Sequence, residues 1–230
     1  MFNILETRVL VMWLFVCLAS NLCFATTFDV AADFSATNNP NGVWSYGWSS
    51  TLTSTLNLYP NHGKFDDPII PIDVWAGSNF PYPPNVSHNG TGITIDTHNT
   101  ITWEPGQFAL HPGESGEYSH ACWTAPYAGT FDIASTFTGI DRWGTTTDVH
   151  VLHNGISLFD GSVNGFGDTS SSSFSTTVSV GMGDIIDFAV GYGSNQNETC
   201  DTTALFATIV PEPATLLLLG LGGLILRRRK

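Results

Sequence analysis

Four carboxylates lie near one another along the chain, and pairs of carboxylates are the catalytic groups of most glycoside hydrolases. They are Asp96, Glu104, Glu114 and Glu117. Hydrolysis requires two carboxyl groups that face each other at about 5–10 Å, one of them with a raised pKa. Spacing along the chain does not supply that arrangement, and a loop such as His111–Glu117 ordinarily holds solvated acids. We therefore predict no catalytic residue and keep a secreted carbohydrate-active enzyme as the alternative function.

Aromatic side chains suggest binding, because a flat ring can stack on the C–H face of a sugar while polar neighbours bond its hydroxyls. Trp75, Phe80 and Tyr82 fall in a Pro-rich stretch that is expected to form loops. We predict these three as the ligand-binding residues. The aromatic residues at positions 44, 46 and 48 alternate along one predicted strand and are more typical of a core.

The sequence predicts no metal site and no cofactor. His150 and His153 project to opposite faces of a strand, without a Cys or carboxylate set of zinc spacing, so we interpret them as exposed. The segment Asp160–Asp168 could surround Ca²⁺ with oxygen atoms, but Gly, Asn and Asp are also the usual residues of hairpin loops. Calcium binding there, or at the pair Asp66 and Asp67, is the alternative.

The composition excludes some classes of partner and structure. The chain has 7 Lys+Arg against 20 Asp+Glu, a formal net charge of −13. Nucleic acid is excluded as a partner, because cations that neutralise phosphates supply most of that affinity. Only 12% of the residues are charged, which argues against a disordered acidic tail.

The N-terminal segment, residues 1–25, has the pattern of a secretory signal peptide. Arg8 precedes the apolar run of residues 9–19, and Cys23-Phe24-Ala25 places small residues correctly for cleavage after Ala25. The run is shorter than the about 20 apolar residues that span a bilayer. Signal peptidase is therefore a predicted partner, and an uncleaved anchor is the alternative.

The C-terminal segment, residues 210–230, has three parts. Val210-Pro211-Glu212-Pro213 is followed by 13 apolar residues and then by Arg227, Arg228, Arg229 and Lys230. Such a helix rises about 20 Å, against about 30 Å of hydrocarbon, so it is a poor permanent span. The four cations would stay in the cytoplasm and stop translocation. We expect the two prolines to break secondary structure and leave an accessible segment.

This order of parts resembles the PEP-CTERM sorting signal of exported bacterial proteins. The resemblance implies a transient inner-membrane anchor and processing by an exosortase, a membrane-embedded cysteine transpeptidase-like enzyme that cuts near the Pro-Glu-Pro triplet. Proteins of this class are associated with the outer surface and the exopolysaccharide matrix. A plain membrane anchor is the alternative.

Two cysteines remain once both ends are removed. A lone pair outside the cytoplasm usually forms a disulfide, so we predict a bond between Cys122 and Cys200. It would close a loop of about 80 residues and contribute about 4 kcal/mol in the chain-entropy picture. Two free buried thiols are the alternative.

The body, residues 26–209, is predicted to be all-β and to form a single β-sandwich or jelly roll. It lacks helical periodicity and is rich in Thr, Ser, Gly, Val, Ile and aromatic residues. Asn154-Gly155 between two apolar runs predicts a hairpin over residues 148–162. The other predicted strands are 43–48, 51–58, 92–97, 101–104, 107–110, 118–123, 129–139, 172–180, 184–191 and 203–209, and residues 60–89 are predicted as long loops. The segment from Trp123 to Phe131 resembles part of bacterial jelly-roll and carbohydrate-binding modules.

Together these patterns predict an exported cell-surface or extracellular-matrix protein. It would be sorted by an exosortase, and its non-catalytic sandwich would bind or adhere to extracellular polysaccharide. A purely structural coat protein is a further alternative.

Overall fold

The computed structural model describes residues 26–66, 68–97 and 100–212. The predicted signal peptide, the apolar tail, Pro213 and the four terminal cations lie outside the described residues. Within those ranges no helix is long and apolar enough to cross a membrane. The described chain forms strands and one short 3₁₀ turn at Asp168–Ser170. The strands are β1 (Phe28–Asp29), β2 (Trp44–Ser49), β3 (Asn57–Leu58), β4 (Asn61–Asp66), β5 (Ile70–Ala76), β6 (Asn85–His88), β7 (Ile95–Thr97), β8 (Ile101–Trp103), β9 (Phe108–His111), β10 (Tyr118–Thr124), β11 (Gly129–Gly139), β12 (Thr145–His153), β13 (Ile156–Gly165), β14 (Ser172–Val180), β15 (Ile185–Gly191) and β16 (Thr203–Pro211).

The strands form an antiparallel sandwich of two sheets. The eight-stranded sheet has the order β14-β11-β16-β9-β6-β5-β4, and β1 also pairs with β16. The six-stranded sheet has the order β13-β12-β15-β10-β2-β3. A separate hairpin consists of β7 and β8. The all-β sandwich predicted from the sequence is confirmed.

The main core lies between the two sheets and follows the alternation of the strands. Trp44 and Tyr46 of β2 and Trp123 of β10 contribute from the six-stranded sheet. Phe131 of β11 and Leu205 of β16 contribute from the eight-stranded sheet. Successive residues of a strand point to opposite faces, so the residues between these positions lie on the outer faces. The aromatic residues at 44 and 46 are thus core, and Trp48 is only partly buried.

A second, smaller core covers the outer face of the eight-stranded sheet. Ile72 and Val74 of β5 pack there with Ala109 and Ala204, whose small side chains leave room for Trp103 of β8. The β7–β8 hairpin therefore lies over one part of this sheet.

The loop prediction for residues 60–89 is wrong, because β4, β5 and β6 lie in that stretch. Pro71 misleads the prediction, since proline cannot donate to a sheet ladder. It is tolerated because the β4–β5 register shifts between Lys64 and Asp66, next to where Pro71 enters the pair. The predicted strand at 51–58 is likewise reduced to the two residues of β3.

The hairpin predicted over residues 148–162 is confirmed by β12 and β13. Asn154 and Gly155 have φ angles of 51° and 78°, the positive values that a type I′ turn needs. Most of the segment considered as a calcium loop, Asp160 to Gly165, belongs to β13 and is not a loop.

Strand β16 continues past the predicted domain boundary at residue 209. Val210 and Pro211 pair with Asp132 and Phe131 of β11, and the Glu212 N–H donates to the Thr130 carbonyl at 2.9 Å. Pro211 is accommodated because it is the last residue of its strand. Pro211, the first residue of the sorting triplet, is thus part of the eight-stranded sheet.

Candidate functional site

A shallow groove lies where one edge of the six-stranded sheet meets the loop between β5 and β6. Trp48 of β2 forms one side of this groove, and Tyr82, Pro83 and Pro84 form another. Glu117, just before β10, completes the lining together with Gly77, Ser78 and Asn79. The volume is about 210 Å³. We call this the Trp48–Tyr82 groove.

Two aromatic rings with unused polar groups face this groove. The Tyr82 side chain is 59% exposed and Trp48 is half-buried. Within the described part of the chain, neither the Trp48 indole N–H nor the Tyr82 hydroxyl has a hydrogen-bond partner. The Tyr82 loop is held by its own backbone, since the Tyr82 N–H donates to the Asn79 carbonyl at 2.9 Å. The groove therefore combines flat apolar surface with free donors.

Acidic and amide groups line the same groove. One carboxylate oxygen of Glu117 accepts a hydrogen bond from the Ser115 N–H at 3.0 Å, which fixes the side chain. The side chains of Ser78 and Asn79 are exposed. Such polar groups beside rings supply the orientation that an apolar surface alone does not.

Two of the three predicted ligand-binding residues do not face this groove. Trp75 lies on β5 and is only 4% exposed; its indole N–H donates to the Ser35 carbonyl at 2.7 Å. Phe80 packs on the second core, against Gly63. The burial of Trp75 on β5 contradicts its assignment to ligand binding, whereas Phe80 is half-buried in the loop between β5 and β6, outside the groove, and its assignment stays a prediction. Tyr82 remains a predicted binding residue.

Three of the four carboxylates considered for hydrolysis have separate partners. Asp96 pairs with the Arg142 guanidinium at 2.7 Å, and Glu104 accepts from the Thr94 hydroxyl at 2.8 Å. Glu117 is bonded within its own loop. No two of these carboxylates are bonded to a common group in the described ranges.

A polar network lies on the outer face of the six-stranded sheet, around His150 of β12. Its Nδ1 lies 2.6 Å from Asp160 and its Nε2 lies 2.8 Å from Asp148. The Tyr118 hydroxyl also donates to Asp148, at 2.9 Å. The exposed-histidine interpretation is therefore wrong for His150, which is buried between two carboxylates.

This network changes the pKa values of its members. Burial disfavours a charged His150, but the hydrogen bonds to Asp148 and Asp160 outweigh burial and raise its pKa. Burial would raise the pKa of Asp148, yet hydrogen bonds from His150, Gly193 and Tyr118 lower it overall. The cationic form of His150 is favoured, since only that form donates from both ring nitrogens.

A second network on the same face joins Ser49, His120 and Asp187. His120 Nε2 lies 2.6 Å from the Ser49 hydroxyl, and His120 Nδ1 lies 2.9 Å from Asp187. The order of groups is that of a serine hydrolase triad. However, Ser49 is fully buried and its hydroxyl donates to the Thr51 carbonyl at 2.8 Å. A substrate therefore cannot reach the hydroxyl in this conformation.

The predicted disulfide between Cys122 and Cys200 is wrong, because both thiols are free in the structure. Cys122 is buried on β10 and donates to Asp187 at 3.3 Å. Cys200 lies in the loop between β15 and β16, where its thiol bonds to Asp141. The two thiols have different partners on different elements, so the chain does not bring them together.

Asp201, next to Cys200, is a buried carboxylate. One oxygen accepts from the backbone and hydroxyl of Thr146, at 2.7 and 3.1 Å. The other oxygen has no hydrogen-bond partner among the described residues. Burial raises the Asp201 pKa to about 6, hydrogen bonds from Thr146 oppose this, and the charges of Glu198 and Asp141 add to it.

Sequence reasoning missed Trp48 as a groove residue and missed both histidine networks. Trp48 shares the alternation of 44 and 46, so only its position at the end of β2 distinguishes it. The histidine partners come from distant positions: His120 and Asp187 are 67 residues apart. The one sequence signal was the spacing of His120 and Cys122, which places both on one face of a strand.

One protein-family model matches the chain. It describes the PEP-CTERM protein-sorting motif and matches residues 210–230. The predicted sorting motif is thereby confirmed at the C-terminus. No curated protein matches the chain.

Several solved structures are similar to the sandwich at low sequence identity. The CBM51 from Clostridium perfringens GH95, in complex with methyl-galactose, is 15% identical with a TM-score of 0.38, over 80% of this chain and 99% of that chain. A family 35 carbohydrate binding module from Clostridium thermocellum is 12% identical with a TM-score of 0.27, over 50% and 75%. An isomalto-dextranase from Arthrobacter globiformis T6, complexed with panose, is 11% identical with a TM-score of 0.29, over 81% and 23%. These TM-scores are too low to establish a shared family or a shared ligand.

Proposed function

We propose that this chain is an exported, exosortase-processed surface protein whose β-sandwich binds polysaccharide without catalysis. The observation that carries the binding part is the Trp48–Tyr82 groove, with two partly exposed rings beside Glu117 and exposed polar side chains. The sorting part is supported by the motif at residues 210–230 and by the predicted signal peptide at residues 1–25.

The shape of the groove favours a polymer over a small metabolite. Its volume of about 210 Å³ is below the about 300–1,000 Å³ of pockets that enclose small molecules. A groove of this size contacts a short stretch of a sugar chain and leaves the remainder in solvent. An exposed ring such as Tyr82 loses little conformational freedom on binding, because it has only two rotatable side-chain bonds.

The charge of the groove narrows the class of sugar. Glu117 is a carboxylate acceptor, and the whole chain carries a formal net charge of −13. Sugar hydroxyls donate to such acceptors, whereas uronate or sulfate groups would be repelled. We therefore favour a neutral or amino-bearing polysaccharide.

Hydrolysis is less well supported by the same geometry. The carboxylates Asp96, Glu104 and Glu117 contact different partners, and Ser49 is inaccessible. A glycosidase would require two carboxyl groups across one bound sugar.

The test is a glycan array probed with the labelled exported protein and with variants of the groove. We expect Tyr82→Ala and Trp48→Ala each to weaken binding about tenfold, the factor that corresponds to about 1.4 kcal/mol. Tyr82→Ala is the more informative change, because the Tyr82 ring is largely exposed and its loss should not disturb folding.

The control is Trp143→Ala. It removes an indole ring, as Trp48→Ala does, from a position that is 77% exposed and lies outside the groove. It should bind as the unmodified protein does. If no glycan is bound, or if Trp143→Ala weakens binding as much as Tyr82→Ala, the groove is not the binding site. Release of reducing sugar from a bound glycan would favour the enzyme instead.

A further inference from the structure

Three potential metal ligands converge on the outer face of the six-stranded sheet. Cys122 of β10 lies directly opposite Asp187 of β15, and His120 lies two residues before Cys122 on the same face. The His120 ring nitrogen, the Cys122 sulfur and an Asp187 carboxylate oxygen all lie within 4.8 Å of one another.

We propose that His120 Nδ1, Cys122 Sγ and the Asp187 carboxylate bind one divalent transition-metal ion of the zinc class. The site is separate from the Trp48–Tyr82 groove, and the proposal does not depend on polysaccharide binding.

The types of ligand select the class of metal. Thiolate and imidazole suit Zn²⁺ and its neighbours, whereas Ca²⁺ and Mg²⁺ require sets of oxygen ligands. A thiolate and a carboxylate together balance the two positive charges of the ion, so a loaded site is electrically neutral. That balance matters because Cys122 and His120 are almost completely buried.

The distances fit a site that can accept an ion with small shifts. His120 Nδ1 lies 3.0 and 2.9 Å from the two Asp187 oxygens, and Cys122 Sγ lies 3.3 Å from one of them. Ligand atoms at about 2.0–2.3 Å from a tetrahedral zinc are separated by roughly 3.3–3.7 Å. The separations from Asp187 therefore need to lengthen by at most a few tenths of an ångström to admit the ion.

The hydrogen bonds around His120 orient its ring so that Nδ1 faces the site. The single hydroxyl proton of Ser49 is donated to the Thr51 carbonyl, so Ser49 Oγ accepts from the His120 Nε2–H. The other ring nitrogen, Nδ1, then faces the Asp187 carboxylate at 2.9 Å, from where it can bind an ion held by the same carboxylate. Such an outer partner on the second ring nitrogen is a regular feature of metal-binding histidines.

The backbone makes the arrangement rigid while one side stays open. β10 and β15 are central strands paired over six residues, so the cross-strand position of Cys122 and Asp187 is fixed. The Asp187 side chain is 16% exposed, whereas that of His120 is 2% exposed. The ion can therefore enter along Asp187, and three protein ligands leave a fourth position for water or another small ligand.

The test uses Co²⁺ as the probe, because it occupies zinc sites and a thiolate bound to it gives a charge-transfer absorption band. The exported protein is purified under a reductant that does not bind metal, freed of metal with a chelator, and titrated. We expect one Co²⁺ per chain with a thiolate-to-cobalt band in the near ultraviolet, displaced stoichiometrically by Zn²⁺. Zn²⁺ should also raise the melting temperature, because it binds the folded state.

The variants separate this site from adventitious binding. Cys122→Ser should abolish the thiolate band, and Cys200→Ser, which removes the other free thiol, should leave it unchanged. Ser49→Ala keeps all three ligands and should weaken Co²⁺ binding about 10–100-fold, the usual effect of losing an outer partner.

The unmodified protein decides the result if a variant fails to fold. A folded, reduced chain that gives no thiolate band with excess Co²⁺ would refute the proposal. So would a band that is lost in Cys200→Ser and kept in Cys122→Ser. Absence of glycan binding would leave these results unaffected, so the two proposals fail independently.

Discussion

Pro211 pairs with Phe131 across strands β16 and β11, and Phe131 is completely buried in the main core. The first two residues of the sorting segment, Val210 and Pro211, therefore belong to the sandwich. The Glu212 N–H extends this pairing by one more bond, to Thr130. The residues on the N-terminal side of the triplet are therefore paired in β16, which limits how far into the sandwich an enzyme can cut without unfolding it.

The first prediction concerns the C-terminus of the mature protein. Mass spectrometry of the surface form should show a chain that retains Val210, Pro211 and Glu212 and lacks residues 214–230. Cleavage before residue 210 would strip part of β16 from the sheet and expose Phe131, which is unfavourable. An intact terminus at Lys230 would favour a plain membrane anchor.

The second prediction concerns the four terminal cations. Replacing Arg227, Arg228, Arg229 and Lys230 by Gln should cause mis-sorting, because nothing would then hold the tail at the cytoplasmic side. Fractionation of cells followed by immunoblotting measures this. Arg142→Gln removes a cation from the sandwich surface and should leave localisation unchanged. Normal sorting of the quadruple variant would contradict the role assigned to the tail.

The third prediction concerns His150 and pH. The folded pKa of His150 is raised, so its stabilisation is complete below the unfolded pKa of about 6.5 and is lost as pH rises through the folded value. His150→Gln should therefore cost about 1–2 kcal/mol near pH 6 and clearly less near pH 9. Urea unfolding at both pH values measures the difference.

The matched control for His150 is Tyr118→Phe. This variant removes the Tyr118 hydroxyl, which also donates a hydrogen bond to Asp148. The hydroxyl keeps its proton throughout this pH range, because burial raises the Tyr118 pKa above its ordinary value. The cost of this variant should be the same at pH 6 and pH 9. Equal costs of His150→Gln at both pH values would show that the ring is not cationic in the folded protein.

The fourth prediction concerns Asp201, whose pKa is raised to about 6. A carboxyl group with a raised folded pKa destabilises the protein increasingly as pH rises from about 4 to 6. Asp201→Asn should therefore add about 2 kcal/mol of unfolding free energy at pH 7.5 relative to its effect at pH 4. Asp132→Asn, at an exposed position on β11, is the control for replacing a carboxylate by an amide. A destabilising Asp201→Asn at pH 7.5 would mean that Asp201 needs its charge.

Much of the fold could be predicted because it depends on local patterns. The alternation in β11 and β14 gives their bounds correctly, and Asn154-Gly155 gives the hairpin. The sequence does not predict β5, because Pro71 indicates a loop. The alternating apolar residues Ile70, Ile72 and Val74, which are buried in the structure, are the opposing signal for a strand. A proline at a register shift costs the sheet little, and the sequence alone does not reveal that shift.

The candidate sites were harder to predict because they depend on pairing between distant strands. Tyr82 was identified from its Pro-rich surroundings, but its partner Trp48 comes from the other sheet. His120 and Cys122 lie two residues apart in the sequence, yet only the register of β10 against β15 brings Asp187 to them. Register between distant strands is set by the whole core, so no short motif encodes it.

Among the described strands, only β16 pairs with both parts of the eight-stranded sheet. β11 pairs with one side of it, and β9 and β1 pair along the other. Without residues 203–211 the sheet would fall into two fragments, β14-β11 and β9-β6-β5-β4, each with an unpaired edge. The last strand of the sandwich therefore holds the eight-stranded sheet together. A chain terminated before β16 would expose unpaired strand edges and would aggregate rather than form a smaller domain.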